Sequence, residues 1–83
     1  MQEYFPKGVC SRQILFDVEN GKLKDVKFIG GCSGNLKGIS SLVEGMDIDN
    51  VIDRLSGIRC GLRKTSCPDQ FSIALKDYKE RSK

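Results

Sequence analysis

Asn20-Gly21, set between two alternating apolar segments, is the feature that leaves this 83-residue chain least freedom. Before it, Ile14, Phe16 and Val18 alternate with Gln13, Asp17 and Glu19; after it, Val26 and Phe28 alternate with Asp25 and Lys27. That period of two is the signature of half-buried strands, and both turn residues tolerate the positive φ of a tight hairpin. A plain two-residue loop would set Ile14 against Lys27 and Phe16 against Asp25, with the two apolar sets on opposite faces. One extra bulged residue at the turn instead pairs Phe16 with Val26 and Ile14 with Phe28, and this is the expected register. Carried to the open end of the hairpin, it sets Cys10 opposite Cys32, with Cβ atoms about 4.5–5.5 Å apart.

After the hairpin, residues 30–35 form a glycine-rich turn, and Leu36, Ile39, Val43 and Met46 recur at near-helical spacing, which predicts a short helix beginning near Asn35 and ended by Gly45. Asp47 is expected to cap a second helix whose Ile48, Val51, Ile52 and Leu55 follow the i, i+3, i+4, i+7 rule up to Gly57. A last helix opens at Pro68, with Cys67 as its N-cap and Phe71, Ala74, Leu75 and Tyr78 on one face. The expectation is one α+β domain over residues 1–83, a β-hairpin-based antiparallel sheet packed against about three helices.

A core of this size supplies only a few kcal/mol, so a metal, a disulfide or oligomerisation would help. The composition, 39% apolar and 30% charged, is that of an ordinary globular chain. No apolar run approaches the roughly 20 residues that cross a bilayer, and the start, Met1-Gln2-Glu3-Tyr4-Phe5-Pro6-Lys7, has no apolar signal core. The chain is therefore expected in a reducing cytoplasm, away from membranes. Its net charge of +3 is spread along the sequence and densest at Lys76 to Lys83, and its aromatics, at 7%, are not interleaved with the basic residues, so nucleic acid is not an expected partner.

In a reducing compartment, the four cysteines, Cys10, Cys32, Cys60 and Cys67, point to metal or redox chemistry before structural disulfides. Free backbone N–H groups and the helix dipole at a helix N-terminus favour a thiolate at Cys67, and to a lesser degree at Cys32. Arg59, Arg63 and Lys64 offset negative charge near Cys60, and Gly8, Gly31, Gly34 and Gly61 let the backbone curl close to a bound group. Four thiolates would close a tetrahedral zinc site or hold an iron–sulfur cluster, and ligand count does not choose between them. The intervening segments of 21, 27 and 6 residues contain no C-x2-C knuckle, so only the fold could assemble such a site. The competing readings are cysteines filling core positions as small apolar residues, and a Cys10–Cys32 disulfide formed in air.

With no histidine in the chain, a serine or cysteine nucleophile lacks its usual base, and the expectation is a binding module rather than an enzyme on its own. Asp47, Asp49 and Asp53 read as a cap and a solvated helix face, and the glycine-rich turn lacks the lysine of a phosphate-binding loop. The basic tail of Lys76, Lys79, Arg81 and Lys83 reads as a solvated helix end.

Thr65-Ser66-Cys67-Pro68-Asp69 matches the signature of the TSCPD domain family, and the whole chain resembles its small stand-alone four-cysteine members. The resemblance implies metal binding through Cys10, Cys32, Cys60 and Cys67. It also implies a protein partner, since the domain occurs as a C-terminal appendage of cobalamin-dependent ribonucleotide reductases. Any reductase activity would belong to those longer proteins; a homodimer through exposed sheet is the other association expected.

A fainter resemblance, over residues 8–79, is to the iron–sulfur cluster scaffold of the NifU N-terminal type, whose cluster ligands match Cys10, Cys32 and Cys67 and whose fold would be the hairpin-and-helix one. Here Arg12 replaces that family's aspartate, Ser66 its histidine, and Cys60 is extra. An all-sulfur site of this kind would hold its metal rather than transfer it.

Overall fold

In a computed structural model of the chain, residues 2–9, 11–31, 33–59, 61 and 64–81 are described. Among them the elements run β1 (Gln2–Tyr4), β2 (Ser11–Glu19), β3 (Lys22–Gly30), α1 (Ser33–Val43), α2 (Ile48–Leu55) and α3 (Cys67–Arg81). The strands form one antiparallel sheet in the order β1-β2-β3, so the expected hairpin-based α+β architecture is present. Strand β1, too short to show a period in the sequence, adds to the hairpin by pairing Tyr4 with Ile14.

The hairpin reaches its expected inner register by a different route. Asn20 and Gly21 both take positive φ, 55° and 76°, and close a tight turn on the Glu19–Lys22 pair with no extra residue there. The extra residue enters farther along, where Asp25 and Val26 together face Phe16 between the Leu15–Lys27 and Asp17–Lys24 pairs. Asp25 sits at φ 53° in this bulge, and its N–H donates to Glu44 Oε1 at 3.0 Å. Burial explains the placement: the bulge lets Leu23, three positions before Val26, face the same core as Val26 and Phe28. A second shift at Arg12 leaves Ser11 paired with Gly30, one residue short of the register that would carry Cys10 to Cys32. The expected Cys10–Cys32 pairing itself lies outside the described residues.

Ile14, Phe16, Leu23, Val26, Val43, Ile48, Val51, Phe71, Ala74 and Leu75 make one buried core between the sheet and the helices. Phe71 of α3 meets Phe16 and Phe28 edge-to-face at centroid distances of 5.8 and 5.5 Å, and Tyr78 meets Phe16 at 6.0 Å. The α1–α2 connection lies along β3, with Leu23 N–H donating to Met46 O and Gly45 N–H to Leu23 O. Helix α1 starts at Ser33, so Gly34 is helical rather than part of the preceding turn. Asp47 occupies the N-cap of α2 without a side-chain capping bond. Lys79 pairs with Asp49 and Arg81 with Asp77, which accounts for part of the basic tail; Lys83 lies outside the described residues. Among the described residues, no helix is long and apolar enough to cross a membrane.

Candidate metal centre

The start of α3 is where the chain spends its polar side chains. Ser66, not Cys67, is the N-cap: its Oγ accepts from the Asp69 N–H at 3.1 Å, and its carbonyl accepts the first helical bond from Gln70 N–H at 2.8 Å. Cys67 is thereby the first helical residue and Pro68 the second, where a missing N–H costs nothing because a helix start has no acceptor for it. Ser66 Oγ also donates to Ile58 O at 2.6 Å, which ties the loop leading to Cys60 onto the helix.

Asp69 extends the same clamp. Its carboxylate accepts from Thr65 Oγ1 at 2.5 Å and from the Gly57 N–H at 2.7 Å. These bonds, the Thr65 hydroxyl foremost, hold the acid below its usual 3.8, with Lys76 and Arg59 adding a weaker pull. Gln70, buried beside it, donates to Thr65 Oγ1 and accepts from the Lys7 N–H at 3.1 Å and from the Tyr4 hydroxyl at 3.5 Å. The N-terminal segment, Gly57 and Ile58, and α3 are thus joined through the side chains of Tyr4, Thr65, Ser66, Asp69 and Gln70. Burial, helped by the Asp77 carboxylate, pushes the Tyr4 phenol above its usual 10.0.

Of the four cysteines only Cys67 is described, half-buried in the first turn of α3. Ser11, 2% exposed at the start of β2, donates its hydroxyl to Cys67 Sγ at 3.2 Å. A thiol and a metal-bound sulfur can both accept such a bond, so the contact is compatible with Cys67 as a sulfur ligand. Gly31 closes over Ser11: at φ 76°, a Cβ there would lie 3.1 Å from the Ser11 nitrogen and 2.9 Å from Leu36 Cδ1. Gly8 lies against Thr65, where a Cβ would meet the Thr65 methyl at 3.6 Å. Arg59, Gly61 and Lys64 are exposed along the loop; Arg63 lies outside the described residues.

Cys10, Cys32 and Cys60 lie outside the described residues, yet the described residues that border them in sequence share one neighbourhood. Ser11 follows Cys10, Gly31 precedes Cys32, and Ile58 lies two positions before Cys60. Among the described residues, no three His, Cys, Asp or Glu side chains cluster as a metal site.

The family model of the TSCPD domain matches residues 2–79. The chain belongs to the TSCPD domain family. No curated protein and no solved structure matches it. Within the TSCPD signature the roles now divide: Thr65, Ser66 and Asp69 pin the loop to α3, Pro68 suits the helix start, and Cys67 alone offers a sulfur. The Ser66-x-x-Asp69 spacing, a capping pattern, was the sequence signal for two of these residues. Ser11 and Gln70 carried no such signal, because the partner of Ser11 and two of the three partners of Gln70 lie more than fifty positions away.

Proposed function

We propose that this TSCPD domain is a metal-binding module in which Cys10, Cys32, Cys60 and Cys67 hold one zinc ion or one iron–sulfur cluster in the service of a redox or nucleotide-reducing partner enzyme. One observation supports the reading: Ser11, next to Cys10, and Ile58, two positions before Cys60, hydrogen-bond to Cys67 and to its neighbour Ser66 at the start of α3, and Gly31, next to Cys32, lies against Ser11. Four thiolates would leave zinc no open position, making its role structural, and would give a cluster an all-sulfur shell suited to retention. Thiols kept free for such a site call for a reducing compartment such as the cytoplasm.

The test is metal content by elemental analysis of anaerobically purified protein, with its visible absorbance to separate iron–sulfur from colourless zinc. Wild type is expected to carry one centre per chain. Cys32→Ser and Cys67→Ser are each expected to lose it and to unfold at lower temperature, because a ligand's binding energy in such a site is also folding energy. Unchanged metal content in either variant would overturn the reading. A metal-free wild type whose thiols form and exchange disulfides would replace it with thiol redox chemistry.

A further inference from the structure

We infer that Ser11 belongs to this centre as the hydrogen-bond donor to the Cys67 sulfur, an inference that rests on the metal-binding reading above. A serine hydroxyl taken out of water without a partner is destabilising, so a fully enclosed serine points to the group it serves. At Ser11 that group is Cys67 Sγ, 3.2 Å away and 56 positions along the chain. Each side of the contact is fixed independently. Ser11 is held by its pairing with Gly30 and by the backbone of Gly31 lying against it, an approach that a Cβ at φ 76° would crowd. Cys67 is held by the Ser66 cap and the Asp69 clamp. Two rigid elements thus bring one hydroxyl to one sulfur.

An O–H donated into a ligating thiolate draws charge off the sulfur. That orients the ligand, weakens its electron donation to the metal and, in a cluster, raises the reduction potential. Alanine keeps the Cβ and removes only the hydroxyl, and Ser11 is a positioning residue that acts through Cys67.

The test titrates metal-free full-length protein with cobalt(II), which gives sulfur-to-metal charge-transfer bands on thiolate sites. Ser11→Ala is expected to weaken cobalt binding by about 10–100-fold, because the lost orientation of the ligand outweighs its stronger donation, and to move the charge-transfer band to longer wavelength, because the sulfur becomes richer in electrons. The band is read on metal-bound, folded molecules alone, so a mere packing defect lowers the urea midpoint of the metal-free variant without moving it. A midpoint change with band and affinity intact would overturn the role of Ser11 and leave the metal centre standing. Absence of any cobalt–thiolate band in wild type would overturn both.

Discussion

Asp69 shows how one side chain can hold a site without touching its chemistry. The carboxylate joins Gly57 and Thr65 to the helix that presents Cys67, and those two bonds, that from Thr65 foremost, hold its pKa below the usual 3.8. In the acid window the unfolded chain therefore binds the proton more readily than the folded one, so stability rises with pH there. The contribution is complete above about 3.8, the unfolded value, and is lost as the pH falls through the lower folded value. Asp69→Asn is expected to lower stability at pH 7 by about 1–2 kcal/mol, the range for a charge-assisted bond that is partly solvated. Its urea midpoint should also fall less steeply than that of wild type between pH 5 and 3. Parallel midpoints across that range would show that the carboxylate's charge is immaterial. The Ser66-x-x-Asp69 spacing held the cap that the sequence reading placed one residue late, at Cys67, whereas Ser11 had no signal: strand alternation can assign a residue to a face but cannot name a sulfur on a distant helix.

At the scale of elements, the hairpin was readable in type and turn and misread in where it bulges. Leu23 held the missing information. Residues three apart in a regular strand face opposite ways, so Leu23 and Val26 can share a core only if one residue between them bulges. Asp25 is that residue, and it sits in the left-handed region that aspartate tolerates and β-branched residues do not. Asp25→Val is accordingly expected to cost about 1–3 kcal/mol, whereas Asp25→Gly, free of that strain, should stay within about 1 kcal/mol of wild type after losing the intrinsic preference of an ordered residue. Thermal unfolding of the pair is the check, and equal melting temperatures would mean that the bulge moves when its residue changes. The three helices were legible because each carries apolar residues at helical spacing between breaker or cap residues, while β1 was not, since three residues cannot display a period.

For the whole molecule the question is whether the core and the sulfur site fold as one unit. Phe16 meets Phe71 and Tyr78 in ring contacts, and Phe71 belongs to the helix whose first residue is Cys67. A chain of this length commands about 4–12 kcal/mol of stability at 0.05–0.15 kcal/mol per residue, and Phe16→Ala should remove about 3–5 of it. At the lower end of that range, where so small a core places the metal-free chain, the variant is expected to be close to unfolding at room temperature. A ligand that binds only the folded state adds about 4 kcal/mol at a thousandfold excess over its dissociation constant, enough to offset the lost ring. Under the proposed function, zinc at that excess should return the variant to a cooperative transition near that of metal-free wild type, and a chelator should abolish the recovery. Leu42→Ala, changing a side chain that is 78% exposed, should shift the transition little with or without metal. If zinc stabilises wild type but leaves Phe16→Ala unfolded at the same excess, the sulfur site does not draw on the aromatic core, and α3 does not transmit binding energy from its first turn to its buried face.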